Sequence, residues 1–284
     1  MSPPPSRRAY LASTVLLVRD QEGPEGTRLE VFMEKRHIKS DFVGGAYVFP
    51  GGRVDEADGI DPELCAGLDE ESANLHLGLD GGGLAHYVAA IRECFEEAGV
   101  LLAYDHSGDL LDFSQSSVED RYRDLRDRMN RGEVSLQDMT RREGLRLATD
   151  RMAYWSHWIT PEGQPRIYDT RFFIAHAPDK QTATHDDWEL TSSAWVTPGE
   201  AIEHAMRREW MIIFPTLVNL RQLSRFATAD EAVRWAREQR RPLPVNQPRV
   251  HDGRVVLPGE DGYEQAERDV SRHDPKIFFT SFRP

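Results

Sequence analysis

The segment Val88-Ala-Ala-Ile-Arg-Glu-Cys-Phe-Glu-Glu-Ala-Gly-Val100 constrains this chain more than any other. On a helix, Val88, Ile91, Phe95 and Ala98 share one face at spacings of three and four, and Leu102 joins them if the helix runs that far. At about 100° per residue, Glu93, Glu96 and Glu97 cluster on nearly the opposite side. One face therefore packs into a core while three carboxylates point together elsewhere. Alone, that arrangement is unfavourable. Glu93 and Glu97 form an i,i+4 like-charge pair, destabilising by roughly 0.2–0.5 kcal/mol. Glu96 and Glu97 also sit near the helix C-terminus, where the macrodipole disfavours negative charge. Arg92 relieves part of this through an i,i+4 contact with Glu96, but one guanidinium does not neutralise three carboxylates. A divalent cation would. Mg²⁺ and Mn²⁺ prefer oxygen ligands, keep several waters and often share ligands with substrate phosphates. A solvated acidic face is the competing reading of the helix alone, and the glycine turn upstream, Phe49-Pro-Gly-Gly52, shifts the balance towards a site.

Around that helix the pattern is of strands and helices in alternation. Ala12 to Arg19 reads as a strand, and Arg28 to Arg36 as a second. In the second, Leu29, Val31 and Met33 point one way and Glu30, Phe32 and Glu34 the other. Gly44 to Gly52 is a short apolar strand ending in the glycine turn. Ile60 to Gly83 reads as a loop insertion, the helix runs from about Leu84 to Ala98 and stops at Gly99, and Val100 to Tyr104 continues as a strand. Ser116 to Leu147 is charged and helical in character, with two short helices joined at Arg131-Gly132. Strand signals return at Tyr154 to Ile159, Tyr168 to His176 and Ser192 to Val196. Helices follow near Gly199 to Arg208, Phe214 to Phe226 and Asp230 to Arg240, and the tail from Pro242 is irregular with one hairpin at His251-Asp-Gly253. Strands interrupted by separated helices favour an α/β sandwich.

At 284 residues the chain holds one large domain with insertions, or a domain plus an extension. The formal net charge of −13 argues against general electrostatic binding to nucleic acid or to anionic membrane surfaces. It leaves room for a small phosphorylated substrate whose charge metal ions and local cations offset. The two cysteines, Cys65 and Cys94, form no Cys-x-x-Cys pattern, so reduced thiols in a cytoplasmic protein are the simpler reading than a disulfide framework or structural zinc. The apolar run Tyr10 to Val18 is too short to span a bilayer, and no small-residue cleavage site follows it to support a signal peptide.

The glutamate helix and the glycine turn together resemble the Nudix hydrolase family, whose motif is Gly-x5-Glu-x7-Arg-Glu-U-x-Glu-Glu-x-Gly-U with U aliphatic. The second half is present as Arg92-Glu93-Cys94-Phe95-Glu96-Glu97-Ala98-Gly99-Val100, with buried-type Cys94 in the first aliphatic slot. The first half is present as Gly52 to Asp58, with Asp58 where the family has glutamate. The gap from Asp58 to Arg92 is far longer than the family's seven residues, so the motif loop carries an insertion. Within the family the chain is similar to the branch of peroxisomal coenzyme A and acyl-coenzyme A diphosphatases, through Val48-Phe-Pro-Gly-Gly52, Trp158-Ile-Thr-Pro161 and Asp169-Thr-Arg-Phe-Phe-Ile174. The C-terminal Ser281-Phe-Arg-Pro284 is not a peroxisomal targeting tripeptide, so the organelle does not carry over.

The resemblance implies an α/β Nudix-type α/β/α sandwich with a mixed sheet, an insertion inside the motif loop and a helical insertion. It sets a domain over 10–226, with insertions at about 59–83 and 106–150, between a flexible N-terminus (1–9) and a C-terminal extension (227–284). It implies that Gly51, Glu93, Glu96 and Glu97 hold Mg²⁺ or Mn²⁺, and that Arg92, Glu96 and Glu97 are catalytic, Arg92 by orienting a glutamate. Beyond the motif, Glu189 in the acidic stretch His185 to Glu189 is the expected base or further ligand, with an exposed acidic turn as the competing reading. Arg36, Lys39, Arg53 and Arg171 are candidates for contacting substrate phosphates, against a background of ordinary surface cations. Trp155 and Trp158 could stack on adenine, but core or surface packing is the favoured reading. The expected activity is metal-dependent hydrolysis of a diphosphate linkage in coenzyme A or acyl-coenzyme A. The alternatives are ADP-ribose, a nucleotide sugar or a dinucleotide as substrate, or a non-catalytic nucleotide-sensing domain. Against the last stands the presence of all three helix glutamates and Arg92. The tail after Phe226 leaves three roles open: an oligomerisation surface making a homodimer, a lid, or a loosely packed extension.

Overall fold

The first two strands form a hairpin that opens into a fork. β1 (Tyr10–Gly23) and β2 (Gly26–Arg36) pair antiparallel from Gly23↔Gly26 to Val18↔Val31 and then part. Into the gap run β3 (Ala46–Val48), which pairs with β2 at Glu34↔Val48, and β4 (Gly51–Arg53), which pairs with β1 at Thr14↔Gly51. The Phe49-Pro-Gly-Gly turn is thus held between two strands that would otherwise be neighbours. The computed structural model describes residues 9–24, 26–37, 44–184 and 190–278.

Two helices follow, α1 (Glu70–Leu77) and α2 (Gly83–Ala98). A small excursion comes next: β5 (Ala103–Tyr104), α3 (Ser116–Asn130), α4 (Leu136–Glu143) and β6 (Arg146–Leu147), in which β5 and β6 pair with each other and not with the main sheet. The chain returns through β7 (Ala153–Ile159), β8 (Tyr168–His176) and β9 (Leu190–Val196). Strand β8 runs parallel to the whole first half of β1, from Tyr10↔Tyr168 to Val18↔His176, and β9 covers the other edge of β2. Then come α5 (Pro198–Met206), β10 (Met211–Ile212), α6 (Phe214–Leu223), α7 (Ala229–Glu238), β11 (Val245–Asn246) and a hairpin of β12 (Arg249–His251) and β13 (Arg254–Val256). The main sheet is mixed, with order β10-β3-β2-β1-β8-β7-β11, β4 on β1 and β9 on β2 among the described residues.

Alternation along the strands builds the layers. Val15, Leu17, Phe32 and Phe173 face one way and pack with α2, α3 and α4 through Val88, Ile91, Phe95, Leu125 and Met139. Leu16, Val18, Val31, Met33 and Ile174 face the other way, against Ala201, Leu217, Leu220, Ala232 and Ala236 of α5, α6 and α7. This is the expected α/β/α sandwich with a mixed sheet. Because both faces are covered, β2 is buried without interruption from Leu29 to Glu34. Among the described residues no helix is long and apolar enough to cross a membrane.

Three expectations need correction. The segment read as a loop from Ile60 to Gly83 contains α1, started by the Asp69 side chain accepting from the Ser72 amide at 2.8 Å and ended by Gly78 in the left-handed conformation. The strand expected from Val100 to Tyr104 shrinks to β5, because the Leu101 amide is taken by the Gln181 side chain at 2.9 Å. Position 226 does not end the packed core: α7 contributes Ala229, Ala232, Val233 and Ala236 to it, and β11 adds to the sheet beside β7. The expected flexible N-terminus, up to residue 8, lies outside the described residues.

Candidate active site

Helix α2 carries the candidate residues Arg92, Glu93, Glu96 and Glu97, yet its own sequence begins without a cap. Gly82 at the N-cap has no side chain to offer, and the first turn holds no acid. The exposed N–H groups go to α1 instead: Glu70 accepts from the amides of Gly82 (2.6 Å), Gly83 (3.1 Å) and Leu84 (3.2 Å), and the Asn74 side chain accepts from Gly83 at 2.7 Å. A carboxylate at this end also favours the macrodipole. The insertion inside the motif loop thus fixes the start of the helix.

Two turns further on, Arg92 is the hub. Its Nε donates to Asp58 Oδ1 at 2.8 Å and its Nη2 to Asp58 Oδ2 at 3.1 Å, a bidentate pair. Its Nη1 donates to Glu93 Oε1 and Glu96 Oε2, both at 2.8 Å, and Nη2 reaches the Arg53 carbonyl at 2.9 Å. Burial works against the charge, but the Asp58 hydrogen bonds and the neighbouring Glu93 hold the guanidinium protonated well above its usual range. Asp58 is 1% exposed and also accepts from the Asp55 amide at 2.7 Å, closing a 3₁₀ turn over Glu56–Asp58. The residue that departs from the family motif is therefore the anchor that holds Arg92 in place.

Glu97 enters the fork of the hairpin, where its Oε2 accepts from the Gly51 amide at 2.7 Å. The two turn glycines are required by this closeness. A Cβ on Gly51 would lie 2.5 Å from Thr14 Oγ1, and one on Gly52 would collide with the Glu93 carboxylate. A fourth acid meets them from below. Glu34 on β2 is fully buried, its carboxyl against that of Glu97. Burial pushes Glu97 well above the usual carboxylate range, with Glu34 adding to the push, while Arg36 and the Gly51 amide oppose it. Burial likewise raises Glu93, with Glu97 the next contributor, and it raises Glu96 against the pull of Arg92. The helix acids were expected to point away from the core. Only Glu97 turns inward, to the Gly51 amide and Glu34, and it is 5% exposed; Glu93 and Glu96 are half-buried against Arg92.

That donor set fits a hard divalent cation. Several oxygen donors are held in a desolvated space where their charges raise one another's pKa values, and a cation is what such a set lacks. Among the described residues no three acids, histidines or cysteines are arranged as they stand to hold a metal ion. Glu93 and Glu96 are turned onto Arg92.

The remaining candidates scatter. Arg36 stands close enough to Glu97 to lower its pKa, so it lies beside the carboxylates. Arg53 lays its guanidinium over the Tyr10 ring at 3.8 Å, exposed to solvent on the flank of the turn. Arg171 is not a surface cation: it is 3% exposed and bonded to Asp169 at 2.7 Å, with His157 on the same carboxylate oxygen. Trp155 and Trp158 are buried in the second core layer, edge-on to Trp235 and Phe214 respectively, and offer no ring to a substrate. Gly51 meets Glu97 through its amide. Glu189 and Lys39 lie outside the described residues. Glu34 was missed, although the sequence held a signal for it: the alternation that places Phe32 in the core puts Glu34 in phase with it.

Comparison with known proteins identifies the family. The sequence profile of the NUDT19 Nudix domain matches residues 81–223, from just before α2 to the end of α6. The acyl-coenzyme A diphosphatase NUDT19 of Xenopus laevis is 30% identical over 274 residues, covering 83% of this chain and 72% of that relative. The human protein of the same name is 27% identical, covering 84% of this chain and 73% of its own length. A crystal structure of a Nudix hydrolase from Alicyclobacillus acidocaldarius superposes with a TM-score of 0.65 over 81% of this chain and 97% of that one, at 22% identity, which speaks for the fold. The chain belongs to the NUDT19 Nudix family and is a Nudix hydrolase.

Proposed function

We propose that the protein hydrolyses the diphosphate linkage of coenzyme A or an acyl-coenzyme A, yielding adenosine 3′,5′-bisphosphate and a 4′-phosphopantetheine product. The observation that carries this reading is the carboxylate set on α2: Glu93 and Glu96, half-buried and held by Arg92, which Asp58 anchors, and Glu97, buried on the Gly51 amide. The relatives named acyl-coenzyme A diphosphatases support the substrate class. Glu93, Glu96 and Glu97 would hold Mg²⁺ or Mn²⁺. Bound there, a divalent ion supplies Lewis acidity, making water a competent nucleophile near neutral pH and offsetting charge on the diphosphate.

The chain's own groups supply the rest. Arg92 fixes the rotamers of Glu93 and Glu96, and Asp58 fixes Arg92, so the carboxylates are preorganised. Arg36 places positive charge beside them for a phosphate oxygen. Glu189 is kept in the proposal as the general base. The water oxygen adds to one phosphorus, the bridging P–O bond breaks, and the leaving phosphate carries off the electron pair. A cytoplasmic setting belongs to the same proposal, supported by Cys65 and Cys94 being free and buried.

The test is a panel of coenzyme A, acetyl-coenzyme A, ADP-ribose, a nucleotide sugar and a dinucleotide, each with Mg²⁺ and with Mn²⁺. The coenzyme A compounds should give kcat/KM about tenfold or more above the others, which is roughly 1.4 kcal/mol of transition-state discrimination. A strong preference for ADP-ribose would overturn the substrate assignment and leave the hydrolase standing.

A further inference from the structure

The C-terminal end of α2 poses the opposite problem from its start. Its last carbonyls have no partners within the helix, the negative end of the macrodipole lies there, and Glu96 and Glu97 add two acids. The last turn holds no basic residue. Gly99 ends the helix in the left-handed conformation at φ 70°.

The missing cation arrives from α3, in the helical excursion. Arg126 is 8% exposed, and its guanidinium lies across the end of α2. Nε donates to the Glu96 carbonyl at 2.9 Å, and Nη2 donates to the Glu97 carbonyl at 2.5 Å and to the Thr184 carbonyl at 3.1 Å. The Thr184 amide in turn donates to the Ala98 carbonyl at 2.9 Å. Three successive carbonyls of the final turn are thereby satisfied from outside the helix. Gly99 makes the approach possible, since a Cβ there would stand 2.9 Å from Arg126 Nη1.

The residues whose backbones Arg126 holds are the same two whose side chains face the metal site. We propose that Arg126 is a positioning residue for that site, its planar fork fixing the last turn of α2 and with it the aim of the Glu96 and Glu97 carboxylates. Lysine cannot substitute fully, because a single ammonium lacks the flat fork that spans two neighbouring carbonyls. The inference rests on the reading of Glu93, Glu96 and Glu97 as metal ligands.

The experiment measures Mn²⁺ affinity by electron paramagnetic resonance, unfolding midpoints in urea, and kcat and KM at saturating Mn²⁺. It uses the full chain and the variants Arg126→Met, Arg126→Lys and Leu125→Ala, the last a buried neighbour on α3 that bonds to none of these carbonyls. Arg126→Met should weaken Mn²⁺ binding about tenfold or more and lower kcat, with KM changed by no more than about threefold, as expected for loss of a group that orients metal ligands. Arg126→Lys should recover part of the affinity. Leu125→Ala should lose stability yet keep Mn²⁺ affinity within about twofold of the parent. A folded Arg126→Met protein with unchanged Mn²⁺ affinity would overturn the proposal. So would a loss of affinity in Leu125→Ala equal to that in Arg126→Met, because general loosening would then explain both. If Arg126→Met does not fold, Arg126→Lys decides: unchanged Mn²⁺ affinity in it sinks the idea, and a several-fold loss sustains it. Absence of Mn²⁺ binding in the parent protein would instead overturn the underlying assignment of the glutamates.

Discussion

Single residues decide how this site holds together, and they differ in how plainly the sequence announces them. Arg92, Glu93, Glu96 and Glu97 are legible because a helix converts their spacing directly into a shared face. Asp58 and Glu34 are harder to see, since each gains its meaning from a partner distant in sequence: Arg92 for Asp58, and Glu97 for Glu34. His86 belongs to the same class. It sits near the start of α2 with Nδ1 3.0 Å from Ser13 Oγ, and Nε2 is buried without a partner among the described residues. Burial and the nearby Arg171 push its pKa down from 6.5 to about 3, so the folded protein keeps it neutral. The sign follows from linkage. Between pH 6.5 and about 3 the unfolded chain binds a proton that the native state refuses, so stability present above pH 6.5 is lost as pH falls. For one such group the loss approaches about 1.4 kcal/mol per pH unit. His86→Gln removes this titration, and carboxylates elsewhere titrate equally in both proteins. Urea midpoints measured from pH 7 to pH 5 should therefore fall more steeply for the parent than for the variant. Parallel slopes would show that His86 is protonated in the fold.

At the scale of elements, long segments with a strong period are legible and short ones are not. Helix α2 and strand β8 stand out because many residues repeat one pattern. Helix α1 was read as loop because only Ala73 and Leu77 of its eight residues are buried, too few to establish a period. Its role is more specific than its size suggests, since Glu70 supplies the N-terminal cap that α2 lacks. Glu70→Ala should lower stability by about 0.5–2 kcal/mol, the usual range for loss of a helix cap, with Glu70→Gln intermediate because an amide oxygen still accepts while the charge is gone. Urea unfolding checks this directly, and an unchanged midpoint in Glu70→Ala would mean that water replaces the carboxylate without loss. The α3 excursion has the complementary position at the other end of α2. Sequence alone showed two helices joined at Arg131-Gly132, and nothing in their charge pattern singled out Arg126 among the arginines of α3.

At the scale of the whole molecule, what escaped the sequence is which strands become neighbours. The parallel pairing of β1 with β8 joins segments far apart in the chain, and no local pattern encodes such a meeting, whereas the β1–β2 hairpin joins neighbours. The same limit explains the boundary set at position 226. The family likeness ends near Phe226, yet the packing continues beyond it. Trp155 meets Phe226 and Trp235 edge-on, with ring centroids 6.1 and 5.1 Å away. Arg241 donates to the Tyr154 carbonyl at 2.7 Å, and the Asn246 side chain donates to the His157 carbonyl at 3.1 Å as β11 joins the sheet. A chain cut after Phe226 would open the face under α7 and leave β7 as a bare edge. The lost burial is on the order of 5 kcal/mol, comparable with the whole net stability of an ordinary domain. A chain cut after Leu257 keeps α7, β11 and the β12–β13 hairpin and should retain the cooperative urea transition of the full protein. The chain ending at Phe226 should show no sharp transition by tryptophan fluorescence and should bind a hydrophobic dye in the absence of urea. Cooperative unfolding of that shorter chain at the full-length midpoint would restore the boundary at 226 and make α7 an accessory.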